Sequence, residues 1–316
     1  MEAGSAIETA AVTDAVAIAA VIVTYHPDRQ SLKQLLQTLQ PQVTAIFIIN
    51  NGTAAELPPE LADGYSAVQI IHLEENKGIG FAQNVGIAHA KTMDADYVLL
   101  MDQDSIPAQD MVANLVAAIK NKPEAAAAGP RYLDPRHQDQ SPFVQLKGLR
   151  LRRITCHSPS DVVAVDHLIA SGCLIPMTAL NKVGLMREDL FIDYVDIEWG
   201  LRARREGLVN YGVCAAHMHH QLGEEPVKFL GRKLVLHQPF RHYYLYRNIL
   251  LLCRERWIPL RWKTALLINL SLKYFFYGLF TANRLAHLRM MSRGIIDGLR
   301  NRRGKMDSSP ELLKDH

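Results

Sequence analysis

A chain of 316 residues, 48% hydrophobic and 21% charged, is long enough for one large domain or two and has the composition of a globular enzyme, which excludes general disorder. The formal net charge is only +3, yet from Lys228 to Lys305 many arginines and lysines stand against Glu255 and Asp297 alone. That bias suits an anionic partner, either nucleic acid or an anionic membrane surface. Cys156, Cys173, Cys214 and Cys253 lie far apart with no CxxC pair, so reduced thiols of a cytosolic protein are expected, not a disulfide framework.

Residues Met1 to about Val16 are small, acidic and Ala-rich, with no basic residue ahead of an apolar core; a frayed tail is expected, not a secretory signal. Ala17 to Tyr25 is apolar and β-branched and breaks at His26-Pro27, as a buried strand does. Asp28 or Ser31 caps the next helix, whose Leu32, Leu35, Leu36 and Leu39 recur at helical spacing before Pro41. A second strand, Ala45 to Ile49, ends in Asn50-Asn51-Gly52-Thr53, completing the β-α-β unit of a doubly wound sheet. After a Pro-, Gly- and acid-rich linker, Leu57 to Tyr65, comes a third strand, Val68 to Leu73. Glu75-Asn76-Lys77-Gly78-Ile79-Gly80 then turns into a helix from about Phe81 to Met93, with Asn84 and Gly86 on its first turns. Its glycines are not spaced GxGxxG and follow the third strand, which argues against a dinucleotide-binding oxidoreductase.

The apolar run Tyr97 to Met101 reads as a buried strand of a parallel sheet, and Asp102-Gln103-Asp104 stands at its exit. Two acids one residue apart at the carboxyl edge of such a sheet suit a hard divalent cation held against a phosphate; alternatively Asp104 or Ser105 caps the helix that starts near Pro107. A helix, Ala108 to Lys120, and a strand, Ala125 to Gly129, closing at Pro130, come next, and Arg131 to Ser160 reads as a surface excursion. Val162 to Leu168 has strand character and delivers Ser171-Gly172-Cys173, where the glycine either lets backbone approach a ligand or marks a bulge. A short apolar strand and a helix from near Thr178 follow.

A second acidic cluster spans Leu190 to Trp199. Helix character runs from Asp196 to about Glu206, with Gly207 as the stop, which puts Asp196 near a helix N-terminus, where dipole and free amides hold a carboxylate ionised. It is a general base or a helix cap. A strand, Val209 to Cys214, precedes His217, His219 and His220; no second ligand pair completes a zinc site, but one histidine facing the crevice of Asp104 would suit a divalent cation or a phosphate. In the basic tail, Arg241 to Arg256 is helix-like. Thr264 to Phe280 is strongly apolar but contains Asn269, Ser271 and Lys273, and falls short of an unbroken span of about twenty residues. These helices either lie in the interface of the cytoplasmic leaflet or pack on the catalytic domain or a second subunit, which would make a homo-oligomer. No reader motif for nucleic acid is present.

In this order the pieces resemble an inverting glycosyltransferase of the family 2 type, over about Ala17 to Gly223. The carriers are Val23-Thr24-Tyr25-His26-Pro27, Asn50-Asn51-Gly52-Thr53, Glu75-Asn76-Lys77-Gly78, Asn84-Val85-Gly86, Asp102-Gln103-Asp104, Ser171-Gly172-Cys173, Phe191 to Asp196 with Arg202, and His220-Gln221-Leu222-Gly223. Tyr25-His26-Pro27-Asp28, Leu100 to Ser105, Phe191-Ile192-Asp193 and Tyr243-Tyr244 with Arg247-Asn248 are similar to bacterial rhamnosyltransferases that use dTDP-L-rhamnose. The resemblance implies an α/β fold of the GT-A kind, Rossmann-like, with a mostly parallel sheet flanked by helices. It implies a tail at 1–16, a nucleotide-sugar-binding catalytic domain at 17–225 and a basic, apolar helical extension at 226–316. Donor contacts are implied for Thr24, Tyr25, Asn50, Asn51, Asn76, Lys77, Gly78, Asn84, Asp102, Gln103, Asp104 and Arg202. Acceptor-side roles fall to Ser171, Gly172, Cys173, Asp193 and Trp199, the general base to Asp196, and Mg²⁺ or Mn²⁺ to Asp104 and His220. Two departures stand out: Asn50 replaces the acid that many relatives carry after the second strand, and Val195 precedes Asp196 where an acid pair is common. The implied acceptor is a glycan or lipid-linked molecule at the inner face of the cytoplasmic membrane. The alternatives are the same enzyme class with a different donor sugar, and a non-catalytic, membrane-associated nucleotide-sugar-binding protein, against which the carboxylates at both Asp104 and Asp196 speak, since binding alone needs no base.

Overall fold

The computed structural model describes residues 16–57, 64–133, 143–147, 150–220, 227–229, 232–234, 238–281 and 283–307. Strands β1 (Ile18–Thr24), β2 (Ala45–Asn50), β3 (Val68–His72) and β4 (Tyr97–Asp102) pair in parallel in the order β3-β2-β1-β4. Their side chains alternate. Ile18, Ala20 and Ile22 join one core with Leu32, Leu35, Leu36 and Leu39 of helix α1 (Arg29–Leu39) and with α3 (Met111–Ile119). Ala19 and Val21 face the other core, built on α2 (Ile79–Thr92), α4 (Met177–Val183) and α5 (Val195–Arg205). A sheet covered on both faces needs strands apolar on both sides, and the near-continuous runs in the sequence reflect that. At Gly86, a Cβ would collide with the Val21 side chain, so this glycine serves the close packing of α2 on β1.

Beyond β4 the sheet becomes mixed. Antiparallel β10 (Cys173–Pro176) bridges β4 and β6 (Ala125–Leu133); β11 (Val209–His220) runs parallel to β6, and β5 (Ser105–Pro107) and β9 (Val162–Val165) pair antiparallel with β11. Two strands outrun their sequence signals. β6 continues through Pro130 and β11 to His220, because the β6–β11 ladder absorbs a register shift between Val213 and His217. The excursion after Arg131 contains a hairpin of β7 (Phe143–Lys147) and β8 (Arg150–Ile154). A second pair, β12 (Val227–Phe229) and β13 (Arg232–Leu234), precedes the tail helices.

The tail forms α6 (Pro239–Arg254), α7 (Leu260–Phe280) and α8 (Arg284–Leu299). Tyr246, Ile249, Trp262, Leu266, Leu270 and Met291 bury against one another and against Leu201 of α5. Among the described residues no helix is long and apolar enough to cross a membrane.

The expectation of four reduced thiols is corrected. Cys156 and Cys214 form a disulfide, with Cα atoms 5.9 Å apart, while Cys173 and Cys253 remain thiols. Fifty-eight residues separate the pair in sequence. The antiparallel β9–β11 ladder folds the segment before β9 back on β11, where the Cys214 N–H donates to the Asp161 carbonyl at 2.9 Å.

Candidate active site

The parallel registers end in one row. Thr24 lies beside Asn50, Asn50 beside His72 and Val23 beside Asp102, so the carboxyl edge of the sheet collects the loops that bear the polar motifs. A cleft of about 680 Å³ opens there, lined by Tyr25, Asn51, Asn76, Gly78, Gln83, Asp102, Gln103, Asp104, Asp193, Asp196 and Arg241, with Val23, Ile169, Ala170 and residues 191–197 completing the wall. Ligand sites of open α/β sheets fall at this edge.

On the β1–β2 side, Asn51 and Asn76 brace each other. Asn51 Nδ2 donates to Asn76 Oδ1 at 3.1 Å, Asn51 Oδ1 accepts from the Lys77 N–H at 2.8 Å, and Asn76 Oδ1 accepts from the Gly78 N–H at 3.0 Å. The clamp holds Gly78 at φ +90°, where a Cβ would stand 2.7 Å from the Phe191 carbonyl oxygen. Thr24 and Asn50 lie beneath the cleft wall. Asn50 Nδ2 donates to the Thr53 carbonyl at 2.8 Å, while Asn50 Oδ1 and Thr24 Oγ1 are buried with no hydrogen-bond partner among the described residues. Lys77 directs its ammonium over the Phe81 ring, 5.3 Å from the centroid, and does not line the cleft.

The carboxylate turn after β4 is pinned from both sides. Gln103 exchanges two bonds with the Tyr25 backbone, accepting from its N–H at 2.8 Å and donating to its carbonyl at 3.1 Å. The Asp102 N–H donates to Ser171 Oγ at 3.1 Å, and Ser171 Oγ donates to Ser105 Oγ at 2.7 Å. Asp102 and Asp104 are thereby held in the cleft wall. The capping alternative does not hold: β5 intervenes after Asp104, and α3 begins at Met111 with Asp110 as its N-cap residue.

The opposite wall is a contorted segment. Phe191 takes φ 64°, ψ −64°, and the Ile192 N–H donates to the Leu190 carbonyl at 2.8 Å, making a γ-turn of the rare positive-φ kind. Asp193 and Tyr194 follow at φ 62° and 67°, and α5 starts at Val195. Such backbone persists only when its surroundings over-determine it, and α6 supplies them. Asn248 Nδ2 donates to the carbonyls of Leu190, Ile192 and Asp193 at 3.0, 2.8 and 2.8 Å. Buried Arg247 donates to the Leu190 carbonyl at 2.8 Å, and Tyr244 stacks on Phe191 with centroids 5.0 Å apart.

Asp196 Oδ1 accepts from the Ile197 N–H at 2.8 Å. Burial nonetheless pushes the Asp196 carboxyl up to about 6, with Asp193 and Asp102 adding to the rise and the Ile197 amide opposing it. Desolvation thus outweighs the amides at the helix start, although the carboxyl remains mostly ionised at neutral pH. Burial works against the charge of Arg241, but Asp193, to which it is paired, and then Asp102 and Asp196 hold its pKa above the ordinary value.

Several predicted site residues stand outside the cleft lining, with hydrogen-bond partners elsewhere in the fold. Asn84 donates to the Met186 carbonyl and Glu188 and accepts from the Met186 N–H. Arg202 is spent on Glu198 and the carbonyls of Val183 and Leu185, and Trp199 Nε1 donates to the Gly184 carbonyl. None of the three lines the cleft, nor do Ser171, Gly172 and Cys173, whose neighbours Ile169 and Ala170 do. Burial pushes the Cys173 thiol far up, so it is inert. Gln83 and Arg241 went unrecognised; only Arg241's position three residues into the basic helix offered a signal.

For a divalent cation, the cleft offers the carboxylate oxygens of Asp104, with those of Asp102 in the same wall for the ribose or sugar beside it. Among the described residues no group of three His, Cys, Asp or Glu side chains forms a complete cage. That set fits a Mg²⁺- or Mn²⁺-type ion that takes its remaining ligands from a diphosphate and water. The backbone of His220 pairs with Ser105, next to Asp104, while its side chain and Gln221-Leu222-Gly223 lie outside the described residues.

A family model described as Glycosyl transferase family 2 matches residues 20–172. The chain is 34% identical over 244 residues to the dTDP-rhamnosyl transferase RfbF of Shigella flexneri, covering 77% of this chain and 82% of the relative. It is 24% identical over 248 residues to the galactofuranosyltransferase GlfT1 of Mycolicibacterium smegmatis, covering 73% and 81%. Among solved structures it is similar in fold to GalNAc-T7 with UDP, GalNAc and Mn²⁺, at TM-score 0.57 and 12% identity, covering 84% of this chain and 57% of that one. It is also similar to S. aureus TarS 1–349 in complex with UDP-GlcNAc, at TM-score 0.55 and 14% identity, covering 90% and 81%.

Proposed function

Because the chain belongs to glycosyl transferase family 2 and is a glycosyltransferase, we propose that it moves L-rhamnose from dTDP-L-rhamnose, with inversion, to a hydroxyl of a glycan or lipid-linked acceptor. The donor assignment is supported by the 34% identity to RfbF over most of both chains. The acceptor belongs to cell-surface polysaccharide, lipopolysaccharide or rhamnolipid synthesis, met at the inner face of the cytoplasmic membrane. The observation that carries the chemistry is that Asp196 lines the same cleft as Asp102 and Asp104, with a pKa of about 6.

Inversion is a single in-line displacement. The acceptor oxygen forms its bond to the anomeric carbon as the bond from that carbon to the diphosphate oxygen breaks, and the acceptor proton passes to an Asp196 oxygen. A carboxylate of pKa about 6 is mostly ionised at pH 7 and more basic than an ordinary aspartate, which suits a general base. Asp102 contacts the ribose or the sugar. Tyr25, Asn51, Asn76 and Gly78 shape the nucleotide side, with Thr24 and Asn50 supporting them from below and Lys77 at the rim. Asp104 would hold Mg²⁺ or Mn²⁺, with His220 as the expected second ligand, and such an ion would supply positive charge against the departing diphosphate.

The test is nucleotide diphosphate release from dTDP-L-rhamnose and a panel of UDP and GDP sugars, with Mg²⁺, Mn²⁺ or chelator, with and without lipid extract. Release selective for dTDP-L-rhamnose, raised by lipid and lost in Asp196→Asn, is expected. Selective release from another donor overturns the sugar, and full activity of Asp196→Asn overturns the base.

A further inference from the structure

Helix α7 is apolar on two faces, and the fold uses one. Trp262, Leu266, Leu270 and Tyr277 form the buried stripe against α6 and α8. Ile268, Leu272, Phe275 and Leu279 recur at i, i+4, i+7 and i+11 on the opposite side, and the last three are 65%, 66% and 64% exposed. Leu267 and Leu260, also exposed, flank that ridge, and exposed Leu285 lies beyond the end of the helix. A second apolar face left exposed on a helix whose first face is already buried marks an interaction surface.

Charge selects the partner. From Arg256 to Ile296 the chain holds Arg256, Arg261, Lys263, Lys273, Arg284, Arg289 and Arg293 and no Asp or Glu. Arg261 and Arg284, near the two ends of the ridge, are exposed. A second copy seated on the ridge about a two-fold axis would bring these cations together with no acid from this stretch between them. An anionic lipid surface instead accepts the apolar ridge among its acyl chains and the basic ends among its headgroups.

We propose that the Ile268–Leu279 ridge of α7, flanked by Arg261 and Arg284, docks the protein flat on an anionic bilayer. This deepens the lipid-linked acceptor reading and rests on it only for the purpose of docking. Away from the ridge, Lys273 is half-buried on α7; burial lowers its pKa, and Asp193 of the cleft wall opposes that shift, so the cleft wall stands toward this other side of the helix. With a helix about 10–12 Å across, the acceptor wall of the cleft then stands near the headgroups.

The experiment is flotation of the full chain with vesicles of phosphatidylglycerol and phosphatidylethanolamine, and with phosphatidylcholine alone, at low and high salt. Leu272→Glu/Phe275→Glu serves as the variant, since both side chains are exposed and neither belongs to the cleft. Binding to the anionic vesicles that weakens with salt and falls at least tenfold in the variant, with an unchanged melting temperature and unchanged nucleotide diphosphate release using a water-soluble acceptor, is expected. Absence of flotation, equal binding of wild type and variant, equal binding to neutral vesicles, or a dimer dissolved by the double substitution each overturns the proposal. Flotation requires no turnover, so its outcome is independent of the donor and base assignments.

Discussion

Replacing Asp196 with Asn separates the energetics of the site from its chemistry. In the folded protein, burial first and then Asp193 and Asp102 raise the carboxyl from 3.8 to about 6. At 1.36 kcal/mol per pK unit, this charge costs the folded state about 3 kcal/mol. The sign follows from proton binding. With the folded pKa the higher, the folded state takes up the proton first; the cost is absent below pH 4, grows between pH 4 and 6, and is complete above. Asn keeps the shape and an oxygen for the Ile197 amide but carries no charge. Asp196→Asn is therefore expected to be more stable than wild type by up to about 3 kcal/mol at pH 8, and equal to it near pH 4. Transfer meanwhile falls by about a hundred- to ten-thousandfold. Urea denaturation of both proteins at pH 4, 6 and 8 measures the first effect, and initial rates across the same range measure the second. The wild-type rate should rise with pH through about 6, an acid limb that the variant lacks. A variant equally or less stable than wild type at pH 8 would refute the buried-charge reasoning, and one with wild-type rates would refute the base.

Asp104→Ala is expected to lower activity and metal-dependent donor affinity together; donor titrations with Mg²⁺, Mn²⁺ and chelator check this, and unchanged metal dependence sinks the ligand role. Asn248→Ala removes two N–H donors shared among three carbonyls of the γ-turn wall, so kcat should fall by tenfold or more with a smaller change in donor KM, and stability should drop by about 2 kcal/mol at about 1 kcal/mol per donor. A variant with normal kcat would show that the segment holds its shape without the Asn248 amide. Thiol titration of the denatured, unreduced protein should find two reactive cysteines, Cys173 and Cys253, and four after reduction; four before reduction would contradict the Cys156–Cys214 bond.

Periodicity and turn chemistry are local, and what depends on them was legible in the sequence. The apolar runs of β1, β2 and β4, the leucine spacing of α1 and the breaks at Pro27 and Pro41 mark a doubly covered sheet, and the order of the polar motifs marks the carboxyl edge. Asp102, Asp104 and Asp196 stood out through the order of the motifs around them, since a carboxylate at a strand exit or a helix start is by itself common. The C-terminal limit of β11 and the existence of α8 were not legible: the first depends on a register shift shared with β6, and arginines interrupt the apolar pattern of the second.

The order of residues along the chain supplies the side chains of the site. How they are spent is set by the folded assembly, because a polar side chain's role depends on which partner reaches it first. Asn84 meets Met186, 102 residues away, and is consumed there, while Arg241 arrives from the tail helix to stand in the cleft beside Asp193. Likewise, the position of Asp196 at a helix start argued for a low pKa, and the walls folded around it raised the value, since desolvation is a property of the assembled cleft and not of any one segment.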